Sequence, residues 1–205
     1  SHDWEIIDVL LLSSISIRMV GDIRQSVLST NPRSTKNKQY AYAEVIEWFR
    51  ERQIKGLLDI IESSTTWRCH SNIAAFSDTI FDSCWEFPET YSMNEVQTEH
   101  DGVFLVPKKY VAEYIARYRP QCLRDSVKSG KEFSFDFMNF KISKGSTFER
   151  VLIIPTAGIV NFIQKGEYLK PGPAASFYVA VTRAKQSVAI VIDNPGSSTL
   201  PCWQI

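Results

Sequence analysis

Four short apolar runs constrain the fold more than any other feature of this chain. They are Leu58-Asp59-Ile60-Ile61, Val103-Phe104-Leu105-Val106, Val151-Leu152-Ile153-Ile154 and Val188-Ala189-Ile190-Val191-Ile192. Each is short, apolar on both faces and separated from the next by helical patterning. That fits strands of a parallel sheet covered on both sides. Residues 15–20, Ile-Ser-Ile-Arg-Met-Val, read as a further short strand ending at Gly21-Asp22. Helical spacing places Trp4, Ile7 and Leu11 on one face, and repeats at Tyr42, Val45, Ile46 and Phe49. It returns at Ile73, Phe76 and Ile80, and at Val111, Tyr114, Ile115 and Tyr118. Residues 29–40 are polar and rich in chain breakers, hence a loop or linker. Alternating strands and helices predict a layered α/β fold. Ligands of such sheets sit at the carboxyl ends of strands, so polar clusters beside strand ends are the places to look for chemistry.

Composition narrows the function classes. The 205 residues are 44% hydrophobic and 22% charged, which is globular rather than disordered. The apolar runs fall far short of the ~20 residues of a membrane span, and no signal peptide opens the chain, so a cytoplasmic location is expected. Lys plus Arg is 23 and Asp plus Glu is 23, which excludes nucleic-acid binding by bulk charge but leaves room for a local basic groove. The four cysteines, Cys69, Cys84, Cys122 and Cys202, form no C-x-x-C pair, and Cys69-His70 has no partner at zinc-finger spacing. No metal site and no disulfide framework is expected.

Four polar clusters have residue types suited to phosphate and base chemistry. Gly21-Asp22-Ile23-Arg24-Gln25-Ser26 follows a predicted strand, and Gln25 offers both a donor and an acceptor for a water or a phosphate oxygen. In Thr65-Thr66-Trp67-Arg68-Cys69-His70, Trp67 offers a flat face to a base and Arg68 a planar fork to phosphate. Asn139-Phe140-Lys141-Ile142-Ser143-Lys144-Gly145-Ser146-Thr147-Phe148-Glu149 joins lysines, hydroxyls and a glycine that suit phosphate contacts. Phe177-Tyr178-Val179-Ala180-Val181-Thr182-Arg183-Ala184-Lys185 is apolar until Thr182 and Arg183 emerge at its end. Taken singly, each also fits a plain structural use: a capped turn, a half-buried Trp with Arg stacked on it, a solvated turn, and a buried helix whose basic end suits the helix dipole.

In order and spacing the four resemble motifs III, IV, V and VI of UvrD/Rep-type superfamily 1 helicases. Gly21-Asp22-Ile23-Arg24-Gln25-Ser26 is similar to the G-D-x-x-Q-S of motif III, and Thr66-Trp67-Arg68-Cys69 to the N-Y-R-S of motif IV. Lys144-Gly145-Ser146-Thr147-Phe148-Glu149 is similar to the K-G-x-E-F-D of motif V, and Tyr178 to Lys185 to motif VI. The resemblance implies a RecA-like P-loop NTPase fold, a parallel sheet covered by helices on both faces. It implies a C-terminal remnant of a first RecA-like domain over 1–35 and a second RecA-like domain over 36–205. The two domains would clamp ATP and Mg2+ and step along single-stranded DNA. Gln25 would sense the γ-phosphate, Arg68 and Arg183 would reach it, and Trp67, Gly145 and Thr147 would lie at the nucleotide. Lys141, Ser143 and Lys144 would contact DNA.

The chain departs from the family pattern in four respects. Thr147 stands where the family has a ribose-contacting Glu, and Lys141 where it has a His. Arg68 and Lys144 are too close in sequence to hold the accessory domain of UvrD and Rep. The chain has no G-x-x-x-x-G-K-S/T and no acidic pair at a strand end, so the phosphate cradle and magnesium ligands would lie outside residues 1–205. The 205-residue polypeptide alone is therefore expected to be inactive. Within the motor class the resemblance leaves two roles: a Gabija-type anti-phage subunit working with a nuclease, and DNA repair. A non-catalytic helicase-like domain that binds DNA or a protein partner is the alternative.

Overall fold

The computed structural model describes residues 2–27, 40 and 42–204. The chain divides into two compact units, Ser1–Ser63 and Ser64–Ile205. Most of the expected loop over 29–40 lies outside the described residues.

The first unit contains helices α1 (His2–Leu11) and α2 (Val45–Ile54), with a 3-10 turn at Ile23–Gln25 and another at Tyr42–Glu44. Ile7 and Leu11 on α1 are half-buried, as the helical spacing requires. The two helices are tied by Arg52, whose Nε and Nη2 donate to Asp8 Oδ1 and Oδ2, each at 3.1 Å. The Arg52 guanidinium also lies 4.0 Å above the buried Trp48 ring. Two expected strands are absent here. Residues 16–20 and 58–61 are irregular, because no strand pairs with either among the described residues. An extended segment without a partner leaves its backbone groups to water. Val20 and Ile61 are accordingly 89% and 90% exposed.

The second unit is built on a parallel five-stranded sheet. A short parallel ribbon, β1 (Thr65–Thr66) with β2 (Tyr91–Ser92), stands apart from it. The main sheet comprises β3 (Gly102–Val106), β4 (Gln121–Arg124), β5 (Met138–Asn139), β6 (Phe148–Ile154) and β7 (Ala184–Val191). Their order across the sheet is β3-β7-β6-β4-β5, every neighbour parallel. The apolar runs at 151–154 and 188–191 lie in its inner strands and the run at 103–106 in the edge strand β3, and side chains of β6 and β7 are buried on both faces. This is the α/β class expected from the runs.

Helices cover both faces. On one, α4 (Val111–Tyr118) packs Val111 and Tyr114 against Val106, Cys122, Leu152, Ile154, Ala189 and Val191. Alternation along the strands sends Val103, Leu105, Leu123, Val151, Ile153, Val188 and Ile190 the other way. There α3 (Ser71–Asp78), α5 (Ala157–Lys165) and α6 (Pro171–Val181) meet through edge-on contacts among Phe76, Phe162 and Phe177. Among the described residues, no helix is long and apolar enough to cross a membrane.

The segment after β7 returns to the outer edge of β3. Leu105 N–H donates to Pro201 O at 2.9 Å and Trp203 N–H to Leu105 O at 2.8 Å. An otherwise open strand edge is thereby covered.

His100 sits between the rings of Phe104 and Tyr118, with centroids 4.0 Å and 3.9 Å away, and its Nε2 is 2.8 Å from Tyr114 Oη. Burial, with Arg150 and Arg117 nearby and only partial opposition from Asp101, lowers its pKa to about 4. Unfolded, His100 binds a proton near pH 6.5. Between these values the unfolded state holds more protons, so lowering the pH favours unfolding. The contribution is full above about pH 6.5 and is lost as the pH falls toward about 4. The variant His100→Gln, which does not titrate, should show a flatter melting temperature across that window in calorimetry. An unchanged slope would assign the acid sensitivity elsewhere.

Candidate nucleotide-phosphate site

The second unit brings Trp67, Arg68, Gly145, Thr147 and Arg183 together at the amino ends of β6 and β7. The register pairs Phe148, the first residue of β6, with Ala184, the first of β7. The residues that enter these strands therefore lie side by side, and Phe148 N–H donates to Arg183 O at 2.9 Å. The carboxyl ends of strands were the expected place. The cluster lies at the opposite edge because its side chains are carried by segments leading into strands: the end of α6 and the turn at 140–147.

Arg183 follows the last turn of α6. Thr182 caps that helix, and its hydroxyl donates to Tyr178 O at 2.8 Å. Arg183 is 1% exposed. Its Nε donates to Val179 O at 3.0 Å, Nη1 to Ser146 O at 3.3 Å and Nη2 to Thr182 Oγ1 at 3.1 Å. The guanidinium thus links motif-VI-like and motif-V-like segments. Neutral carbonyls and a hydroxyl satisfy these three donors, as burial of an ion demands.

Arg68 arrives from the loop after β1. Its Nη1 donates to Thr182 O at 3.2 Å, so both arginines meet at Thr182 although Arg68 is 114 positions from it in sequence. Trp67, next to Arg68, is 75% exposed and presents its ring to solvent. Cys69 lies behind the pair, its thiol 3.6 Å from Thr182 O. Burial pushes that thiol up to about 11, against the opposing pull of Arg68 and Arg183. Cys69 is 3% exposed and packs as a small buried side chain.

The turn preceding β6 supplies the third wall. Ser146 N–H donates to Ser143 O at 2.9 Å, closing a turn in which Gly145 has φ +90°. That conformation suits glycine, and a Cβ there would meet nothing within 4 Å. The open space beside Gly145 leaves its backbone accessible. Thr147, Lys141 and Lys144 are exposed. Ser143 is fully buried and donates its hydroxyl to Phe140 O at 2.7 Å. Its hydroxyl is turned inward in this conformation, whereas the two lysines are exposed. Lys185 of β7 and Glu149 of β6 form an exposed 2.7 Å ion pair.

Gln25 belongs to the first unit. It closes the 3-10 turn at Ile23–Gln25, which Asp22 opens by accepting from Arg24 N–H at 3.0 Å.

Sequence reasoning missed the residues that hold the two arginine-bearing segments together. Asn94 Nδ2 donates to Arg68 O at 2.8 Å and to Lys185 O at 3.3 Å. Ser92 Oγ donates to Cys69 O at 2.6 Å, and His70 N–H to Lys185 O at 2.7 Å. No signal marks Ser92 or Asn94 in the sequence beyond a polar stretch, because their partners are remote along the chain. All four cysteines are free. Among the described residues, no group of three or more His, Cys, Asp or Glu side chains could hold a metal ion.

No family model and no curated protein matches this sequence. Solved structures do match in part. A PRRSV helicase structure aligns with TM-score 0.41 and 22% identity, over 67% of this chain and 24% of that one. A methylated PRRSV nsp10 helicase aligns with TM-score 0.38 and 23% identity, over 63% of this chain and 23% of that one. The C-terminal domain of a possible DNA helicase from Lactobacillus plantarum WCFS1 aligns with TM-score 0.40 and 12% identity, over 64% of this chain and 91% of that domain. The chain therefore corresponds to about a quarter of the length of the PRRSV proteins it resembles.

Proposed function

We propose that residues 36–205, which include the whole second unit, are the second RecA-like lobe of an ATP-dependent DNA helicase or translocase, and that this lobe supplies arginines to an ATP site completed by another lobe. Residues 1–35, with Gln25 as the γ-phosphate sensor, would belong to that first lobe. One observation carries the reading: Arg68, 114 positions away in sequence, reaches the carbonyl of Thr182, whose hydroxyl accepts from its neighbour Arg183, and Trp67, which precedes Arg68, is exposed. An exposed ring can stack on a base and a guanidinium fork can donate to phosphate oxygens, which are the groups a nucleotide needs. Phosphoryl transfer builds charge on terminal oxygens, and arginines from a mobile lobe tie its stabilisation to closure. To touch a phosphate, the Arg183 guanidinium has to leave Ser146 O and Thr182 Oγ1. The bases and phosphates of single-stranded DNA would meet the exposed Lys141 and Lys144, so affinity would fall as salt rises.

The test is DNA-stimulated ATP hydrolysis by the intact gene product with Arg68→Ala. Loss of one positioned cationic donor should lower turnover by about 10²–10³-fold. Turnover near that of the unaltered protein would reject the site. The burial of Arg183 favours a second reading, a helicase-like domain that binds DNA or a protein partner without hydrolysis. Absence of any DNA-stimulated turnover in the intact product, with DNA or partner binding retained, would select it. A pull-down on the same protein would separate a nuclease-linked defence role from repair.

A further inference from the structure

We infer that Asn94 is a positioning residue that sets the register of the two arginine-bearing segments, an inference that rests on the proposed phosphate role of Arg68 and Arg183. Arg68 and Arg183 are on irregular backbone, the first after β1 and the second between α6 and β7. No strand ladder joins residues 67–70 to residues 182–185. The join is made by side chains and one backbone bond. Asn94 stands just beyond β2, which is paired with β1, and Met93 N–H donates to Thr66 O at 2.8 Å, extending that ribbon toward it.

The Asn94 side chain is itself held at both ends. Its Oδ1 accepts from Val96 N–H at 3.1 Å, which directs Nδ2 at the two carbonyls, Arg68 O and Lys185 O. Its backbone N–H donates to Ser92 Oγ at 3.1 Å, and that hydroxyl donates onward to Cys69 O. One primary amide has two N–H groups, so a single side chain satisfies one carbonyl on each segment and fixes their separation. A long arginine amplifies any backbone rotation at its Cα, and displacement of about 1 Å costs about 10²-fold in rate where geometry matters. Asn94 would act through Arg68 without touching nucleotide.

The test uses the intact gene product with Asn94→Ala, Arg68→Ala and the double variant. Asn94→Ala should lower ATP turnover by about 10²-fold. The double variant should fall no further than Arg68→Ala, because the two act through one group. A purely structural role would instead multiply the two losses, and that outcome overturns the inference. Amide exchange gives a readout independent of hydrolysis. Protection of the His70 N–H, which donates to Lys185 O, should drop about tenfold in Asn94→Ala, while Val151 and Val188 in the central strands stay unchanged. Unchanged His70 protection, or a uniform loss across the sheet, also overturns it. Should Asn94→Ala not fold, Asn94→Asp keeps the acceptor for Val96 and removes both donors, and must reproduce the defect. If Arg68→Ala leaves turnover intact, the phosphate reading fails, and the positioning role is then decided by exchange alone.

Discussion

On the proposed helicase reading, Arg183→Ala in the intact gene product should reduce DNA-stimulated ATP hydrolysis by about 10³–10⁵-fold while nucleotide binding weakens only modestly. The asymmetry follows from when the charge is needed. Ground-state binding draws on contacts spread over the nucleotide, whereas an arginine at the terminal phosphate acts most on charge that develops during transfer. Arg183 also has a structural share in this conformation, through Val179 O, Ser146 O and Thr182 Oγ1. Losing a buried hydrogen-bond donor costs about 1–3 kcal/mol. The melting temperature must therefore be recorded with the rate. A folded Arg183→Ala protein with normal turnover would remove Arg183 from the proposed ATP site. Arg183→Lys separates charge from shape: an ammonium keeps the charge but cannot span Val179, Ser146 and Thr182 as a planar fork does. It should keep most of the defect.

Trp203→Ala should lower stability by about 3–5 kcal/mol, the usual cost of truncating a buried Trp. Trp203 is 8% exposed and meets three tyrosine rings edge-on: Tyr110 at 6.2 Å, Tyr114 at 5.2 Å and Tyr118 at 6.1 Å. Its indole N–H donates to Tyr118 Oη at 3.4 Å. The same residue anchors the returning segment on β3 through its backbone bond to Leu105 O. Removing the ring therefore leaves a cavity beside α4 and loosens the cover on a sheet edge. At roughly 2–4 °C per kcal/mol for a chain of this size, the transition should move down by about 6–20 °C. A calorimetric shift below about 2 °C would mean that the segment after β7 contributes little to the fold.

The legible and illegible parts of this chain differ for identifiable reasons. The apolar runs within β3, β6 and β7 are readable because a segment covered on both faces of a parallel sheet is apolar at successive positions. Helix α4 is readable because one face is buried and the other wet, leaving a 3.6-residue period. Strand β4 was not read: only Cys122 and Leu123 of Gln121–Arg124 are buried, so its strand character comes from its neighbour β6. Residues 16–20 and 58–61 show the converse, apolar patterns without a pairing strand among the described residues. The residue types of the site were legible, as Trp67, Arg68, Gly145, Thr147 and Arg183 stand in short ordered motifs. Their environments were not. Ser143 is buried by its own turn, while Lys141 and Lys144 are exposed to solvent, a difference set by where the turn at 140–147 faces.

The local pattern of side chains by itself determined the layered α/β class, the central strands and the identity of the residues with chemistry to offer, because periodicity and residue type are properties of neighbours along the chain. Only the tertiary structure decided that Arg68 and Arg183 share Thr182, that Arg183 is enclosed, and that Asn94 joins the segments bearing both. The Arg68–Thr182, Asn94–Arg68 and Asn94–Lys185 hydrogen bonds join positions remote in sequence, so their donors and acceptors meet only once the chain has folded.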